Sequence, residues 1–194
     1  MPLVNPNFSV FHPDGRLFFS ASGAWGARNG LIYCLYPDGR CQVVGRDSSA
    51  FTNGLAIDPD ASALYVVESE QPRIGRYSIL EDGLGEYEPL FELPRTVPDG
   101  LAFTADGTLL IGCYRPDRVL SWDGSTVSTL VDDWTGEDMA APTNLAFFGE
   151  GLSRLVTANL GGWHLTEVLN VGPGTPLSYP APIRSQNELE SSEK

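Results

Sequence analysis

This sequence of 194 residues lacks the features of disulfide-bonded, zinc-stabilised, membrane-spanning and secreted proteins. It has three cysteines, an odd number with no C-x-x-C pair, which argues against a disulfide framework and a structural zinc site. No apolar stretch approaches the length of a membrane span, and the N-terminus lacks the basic region and apolar core of a secretory signal. The sequence therefore predicts a cytoplasmic protein without a membrane partner.

Positive charge is also scarce. The chain has 12 Lys and Arg against 25 Asp and Glu, for a formal net charge of −13. Because such a surface repels phosphate backbones, no nucleic-acid partner is expected. The sequence contains neither a G-x-x-x-x-G-K-[ST] phosphate loop nor a G-x-S-x-G nucleophile elbow, so nucleotide use and serine-hydrolase chemistry have no support.

Glycine and proline are abundant, and one short pattern recurs four times: a polar residue followed by an apolar run. The polar residues are spaced by 46, 46 and 45 positions: Asn7, Asn53, Asp99 and Asn144. In each repeat a turn and a second short run follow, and three of the four repeats show a third run; these runs are rich in β-branched and aromatic residues, which is strand and hairpin chemistry. Four strands in about 45 residues are typical of a β-propeller blade. A sandwich of short strands is the alternative, but it does not require this periodicity.

The predicted fold is therefore all-β, a partial β-propeller with about four blades. The repeats occupy these ranges of a propeller domain over residues 1–184: about 6–50, 51–96, 97–141 and 142–184. Residues 132–141 are predicted to form a turn or short helix between blades. Residues 185–194 are predicted to be a disordered polar tail.

Five segments carry a resemblance to a known family: Phe51–Asp60, Leu64–Ser69, Arg73–Tyr77, Val97–Phe103 and Ala141–Phe147. In this order they resemble the SMP-30/gluconolactonase family of metal-dependent lactone hydrolases, to which the paraoxonases are related. The resemblance runs from about Asn5 to Gly162. It implies a six-bladed propeller with a divalent cation in its central channel and a small-molecule lactone or ester as substrate.

The resemblance also implies roles for three polar residues. Asn53 and Asp99 match metal ligands of the family, and Asn7 matches an asparagine that faces the same channel and contacts metal, water or substrate. Amide and carboxylate oxygens suit Ca²⁺, Mg²⁺ or Mn²⁺ and can also serve Zn²⁺. Asp99 is the candidate general base. Alternatively, Asn53-Gly54 and Asp99-Gly100 are simple turn dipeptides; a separate turn follows each apolar run, which favours the site.

Other polar residues are assigned weaker roles. Asn144 is expected to be structural, His12 to lie at the surface, and His164 to serve in packing or at the surface. Tyr114 and Arg115 are candidates for lining an entrance to the channel.

The sequence departs from the family pattern in two ways. The glutamate that the family's first blade contributes to the metal has no counterpart, and Phe8 stands where an acidic residue is usual. Weaker metal binding than in a complete member is therefore expected. An inactive propeller that acts as a binding scaffold is the alternative function, and a hydrolase of other esters is a third. An open arc also exposes strand edges, so the chain is a fragment, a marginal fold, or part of an assembly formed through those edges.

Overall fold

Four antiparallel β-sheets follow one another along the chain in the computed structural model, which describes residues 3–180. Three sheets have four strands, the last has three, and each pairs its strands in chain order. Each sheet is thus a meander formed by one repeat, and the four make a propeller arc. The predicted fold class is confirmed. No helix within residues 3–180 is long and apolar enough to cross a membrane, and the predicted tail at 185–194 lies outside the described residues.

The strands have the following bounds. Blade 1 comprises β1 (Pro6–Phe11), β2 (Leu17–Ala21), β3 (Leu31–Leu35) and β4 (Cys41–Gly45). Blade 2 comprises β5 (Thr52–Ile57), β6 (Ala63–Glu68), β7 (Arg73–Leu80) and β8 (Gly83–Glu92). Blade 3 comprises β9 (Val97–Phe103), β10 (Leu109–Arg115), β11 (Arg118–Trp122) and β12 (Val127–Asp132). Blade 4 comprises β13 (Pro142–Phe148), β14 (Arg154–Asn159) and β15 (Leu165–Val168), with a 3₁₀ turn at Glu150–Leu152.

The first strand of each blade packs against the first strand of the next, so β1, β5, β9 and β13 line the propeller axis. Glycine makes this approach possible. A Cβ on Gly54 would lie 2.1 Å from the Asp99 carbonyl oxygen, and one on Gly100 would lie 2.6 Å from the Thr143 carbonyl oxygen. Both glycines lie inside strands, so the Asn-Gly and Asp-Gly pairs serve close strand contact and not a turn.

Three apolar clusters fill the spaces between consecutive blades and form the core. Between blades 1 and 2 the buried residues include Phe18, Leu55 and Tyr77. Between blades 2 and 3 they include Tyr65, Leu101 and Ile111. Between blades 3 and 4 they include Leu110, Leu145 and Leu155. The blades therefore stabilise one another face to face, and alternate residues of the middle strand β6, such as Leu64 and Tyr65, belong to different clusters.

A residue with left-handed backbone precedes each inner strand. These residues are Asn5, Phe51, Arg95 and Ala141, with φ between 52° and 61°. Such a conformation is unfavourable for residues with a Cβ and persists only where the surrounding structure enforces it. The shared conformation turns the chain sharply from the outer strand of one blade toward the axis.

The connection from β12 to β13 forms turns, not a helix. The Asp133 carboxylate accepts backbone N–H groups of Gly136 (3.0 Å), Asp138 (2.8 Å) and Met139 (2.7 Å). These hydrogen bonds favour the charged form and lower the pKa of Asp133 to about 2. One carboxylate thus organises the whole connection.

After blade 4 the chain crosses the propeller as an extended segment, residues 173–178, which we term the strap. The Gly174 N–H donates to the Leu152 carbonyl and the Thr175 N–H donates to the Phe103 carbonyl, both at 2.9 Å. Ser178 pairs with Phe11 of blade 1 in an isolated bridge. The strap therefore links blades 3 and 4 to blade 1 at the C-terminal ends of the inner strands.

Candidate functional site

Each inner strand has an irregularity at the same place, near its start. The register with the second strand shifts within these four segments: Pro6–Ser9, Thr52–Leu55, Pro98–Leu101 and Pro142–Asn144. In every case the inner strand has one residue more than its partner, which is a β-bulge. Bulges redirect side chains and are common beside active sites. The four bulges contain Asn7, Asn53, Asp99 and Asn144, the residues of the 46-residue repeat.

Asn53 is buried, with 4% of its surface exposed, and its amide orientation is fixed by a serine. The Ser69 hydroxyl donates to the Pro98 carbonyl at 2.6 Å, so its oxygen must accept from the Asn53 NH₂ group at 3.0 Å. The carbonyl oxygen Oδ1 of Asn53 is consequently directed elsewhere. It is buried and has no hydrogen-bond partner among the described residues. A buried acceptor without a partner is costly, and a cation would satisfy it.

Asp99 is half-buried in the neighbouring inner strand. Burial raises the pKa of its carboxyl to about 6, and a hydrogen bond from the Asn53 side chain opposes this rise. No ion pair to Asp99 occurs within residues 3–180. The structure therefore brings a carboxylate without a basic partner next to the Asn53 side chain, whose Oδ1 is unpaired.

Asn7 repeats the geometry of Asn53 in a more open position. Its NH₂ group donates to the Ser22 hydroxyl at 2.9 Å, and its side chain is exposed. Asn144, also exposed, uses its Oδ1 to accept the N–H of Leu145 at 2.8 Å. The bulge residues thus differ in whether their side-chain oxygen is free to bind a ligand. Asn53 has an unpaired buried oxygen, Asn7 faces solvent, and the oxygen of Asn144 accepts a backbone N–H.

The other candidate residues make contacts within the fold. His12 Nε2 donates to the Ala61 carbonyl at 3.0 Å, and His164 Nε2 donates to the Asp138 carbonyl at 2.9 Å. The Arg115 guanidinium lies over the Tyr114 ring at 4.8 Å and pairs with Asp117 at 3.0 Å. His12 and Tyr114 are half-buried, whereas His164 and Arg115 are exposed.

Sequence reasoning missed Ser69 and Ser22. Each follows the second strand of its blade directly, and each holds the amide of the bulge residue of the same blade. Their shared position after the second strand, 47 residues apart, was the available signal.

The donor set suits a hard cation but is small. Within residues 3–180 no group of three or more His, Cys, Asp or Glu side chains is placed to bind a metal. The available oxygens are the carboxylate of Asp99 and the amide carbonyl of Asn53. Asn7 is the equivalent residue of the preceding blade. Oxygen donors of this kind select Ca²⁺ or Mg²⁺-like ions over soft metals.

The fold and the site together define a propeller protein that has a polar residue near the start of each of its four inner strands. The chain matches the SMP-30/Gluconolactonase/LRE-like region over residues 1–159, and it belongs to this family. Lactonase drp35 of Staphylococcus saprophyticus is 26% identical over 161 residues, which are 77% of this chain and 49% of that protein. Lactonase drp35 of Staphylococcus aureus strain USA300 is 26% identical over 117 residues, 57% of this chain and 36% of that protein. The chain thus spans about half the length, or less, of these curated relatives.

Solved structures show the same fold. A gluconolactonase from Xanthomonas campestris has a TM-score of 0.66 and 21% identity, covering 80% of this chain and 55% of its own. Regucalcin from Agrobacterium tumefaciens, described as a calcium-binding protein, has a TM-score of 0.71 and 22% identity, covering 89% and 64%. At the level of the family, the relatives are lactonases and gluconolactonases.

Proposed function

We propose that this chain carries a metal-dependent site for the hydrolysis of lactones, centred on Asn53 and Asp99. The observation that supports it best is the buried, unpaired Oδ1 of Asn53 beside a half-buried carboxylate without a basic partner. Among the described residues the Asn53 oxygen has no partner and the Asp99 carboxyl has only the hydrogen bond from Asn53, and a divalent cation would satisfy both. The family's lactonases, and the regucalcin described as calcium-binding, support the same assignment.

Asn53 and Asp99 would hold the cation, which when bound polarises the lactone carbonyl and stabilises the oxyanion. Asp99 is the proposed general base. With a pKa of about 6 it is mainly ionised at neutral pH and can accept a proton from the attacking water. Water adds to the carbonyl carbon as Asp99 takes its proton, the ring C–O bond breaks, and Asp99 returns the proton to the ring oxygen, which leaves as the hydroxyl of a hydroxy acid. Asn7, exposed at the same end of the channel, is the proposed contact for the substrate's polar groups.

A binding scaffold without catalysis is the second candidate. It is favoured by the single carboxylate in the donor set and by the span of the chain, about half of its curated relatives. The two candidates differ in one measurable property, turnover that depends on a metal.

The test is hydrolysis of gluconolactone by the purified chain with Ca²⁺, Mg²⁺, Mn²⁺ or Zn²⁺, corrected for the spontaneous rate. Asp99→Asn keeps the shape of the side chain and removes the base, so kcat should fall by about 10²-fold or more. Asn144→Ala, at the equivalent bulge of blade 4, should leave the rate within about twofold, because Asn144 bonds only its own backbone. Full activity in the Asp99 variant would refute the role of Asp99. A folded parent chain without metal-dependent turnover would favour the scaffold.

Metal binding is tested separately by calorimetry with a pair of serine variants. Ser69→Ala removes the hydroxyl that orients the Asn53 amide, and we expect metal affinity to fall by about 10-fold or more, as for other groups that orient ligands. Ser22→Ala removes the matching hydroxyl beside Asn7 and should leave the affinity unchanged. Equal effects of the two substitutions would contradict the assignment of Asn53 as a ligand.

A further inference from the structure

A cavity lies at the opposite end of the inner strands from Asn53 and Asp99. It has a volume of about 530 Å³, within the range of small-molecule sites. All four inner strands contribute to it, and the strap and Tyr179 border it. Asn7, Asn53, Asp99 and Asn144 do not line it, since they occupy the starts of those strands. We refer to this cavity as the apolar chamber.

The walls of the chamber are hydrophobic. They are formed mainly by aromatic and aliphatic side chains: Phe8, Val10, Leu55, Leu101, Phe147 and Leu177. Leu55 and Leu101 are buried in the core clusters, so this part of the wall is rigid. Leu177 and Tyr179 are 61% and 78% exposed, so two large apolar side chains lie at the rim.

The strap holds its position at the chamber through backbone bonds and one close contact. A Cβ at Gly174 would lie 2.1 Å from the Phe147 ring, so the strap backbone rests directly on the wall. The hydroxyl of Thr175 also donates to the Thr104 carbonyl at 2.9 Å. The chamber is consequently a formed cavity with a fixed border.

The charged residues that line the apolar chamber indicate which kind of molecule it can bind. Asp58 is the only charged residue among those that line the chamber within the described part of the chain. Its carboxylate already accepts the N–H and hydroxyl of Ser62, each at 2.7 Å, and the N–H of Ala63 at 3.0 Å. With no basic group in the walls, an anionic headgroup would be desolvated without compensation. A neutral molecule would gain from burial of its apolar surface.

We propose that the apolar chamber is a binding site for an uncharged hydrophobic small molecule, separate from the site at Asn53 and Asp99. The proposal does not depend on lactone hydrolysis, because the two sites share no residue. Fluorescence titration of the full chain with the neutral dye N-phenylnaphthylamine tests it. We expect saturable uptake, displaced by decanol at a concentration at least tenfold lower than by decanoate.

Substitutions that fill the chamber provide the structural control. Ser9 and Ala146 line it and are exposed, so Ser9→Trp and Ala146→Trp place bulk in the cavity without disturbing the core. Each should weaken dye binding at least tenfold. Ser125→Trp, in the exposed turn between β11 and β12, should leave it unchanged.

Three results would overturn the proposal: no saturable uptake, uptake that both filling variants retain, or displacement by decanoate as effective as by decanol. Uptake that declines as the protein is concentrated would instead assign the chamber to contact with a second copy of the chain.

Discussion

Asn53 shows how one hydroxyl can decide the chemistry of a neighbouring side chain. Either end of an amide can face a cavity, and only the oxygen can bind a cation. Because the proton of Ser69 goes to the Pro98 carbonyl, the nitrogen of Asn53 is held on the serine and its oxygen is left free. The preference of this position for a cation thus depends on Ser69, which contacts the proposed ligand Asn53.

Asp99 is expected to lower the stability of the metal-free protein. Its pKa is raised from 3.8 to about 6, so the unfavourable burial of its charge develops as pH rises above about 4 and is complete above about 6. This shift corresponds to roughly 3 kcal/mol. Asp99→Asn should therefore increase the free energy of unfolding by up to roughly this amount at about pH 8 and by little at about pH 4, measured by urea denaturation with a chelator present.

Asp123→Asn is the matched control. Hydrogen bonds from Ser125 and Thr126 lower the pKa of Asp123, so neutralising that carboxylate should bring no gain at high pH. An Asp99 variant whose stability relative to the parent does not change with pH would contradict the proposed cost of burial.

At the scale of the strand, the combination of bulge and glycine organises the site. The bulge redirects Asn53 and Asp99, and the glycine after each lets the adjacent inner strand approach. The Asn-Gly and Asp-Gly pairs therefore have two functions in successive residues: one supplies the polar side chain and the other leaves room for the next blade.

Gly54→Ala should be strongly destabilising for this reason. The added Cβ would meet the Asp99 carbonyl oxygen, a backbone atom, at 2.1 Å, and the two inner strands would have to separate. We expect a loss of about 3 kcal/mol in the free energy of unfolding. Gly85→Ala in β8, where the nearest atom lies at 3.5 Å, should change it by less than about 1 kcal/mol. If Gly54→Ala and Gly85→Ala lowered the free energy of unfolding equally, glycine at position 54 would be needed for strand flexibility and not for the close approach of β9.

The sequence predicts some of these elements better than others. The positions of Asn53 and Asp99 at the axis follow from a repeat with strong turn residues and from the family resemblance. The third strand of the last repeat, β15, is not predicted, because its sequence Leu-Thr-Glu-Val is short and half polar. The role of Ser69 depends on the direction of one hydroxyl proton, which no pattern in the sequence records. The strap also lacks a periodic pattern, since its backbone bonds go to residues distant in sequence, at the ends of β1 and β9 and in the turn at Leu152.

At the scale of the molecule, the arc ends on the outer face of blade 1. Phe19, half-buried, and Tyr33, buried, stack on this face with ring centroids 5.1 Å apart, and neither belongs to the cluster between blades 1 and 2. Every other blade interface of the arc is made by such apolar residues. The face thus continues the packing pattern of the fold without a fifth blade in the described chain.

We therefore propose that copies of the chain associate through this face. Phe19→Lys should shift the protein toward the monomer in size-exclusion chromatography with light scattering, because a buried lysine without a partner is unfavourable. Val127→Lys, on the outer strand β12, should not. A parent chain that is monomeric at all concentrations would exclude this association.

The single carboxylate of the proposed metal site also affects how the product of hydrolysis would be released. Ring opening converts a neutral lactone into an anion, and one Asp99 charge leaves a divalent ion with net positive charge, so the product would be retained at short range. The chain as a whole carries a formal net charge of −13, which repels the same anion over a distance of about 10 Å in about 0.1 M salt. Substrate arrival would therefore be insensitive to ionic strength, whereas product escape would slow as salt screens the repulsion.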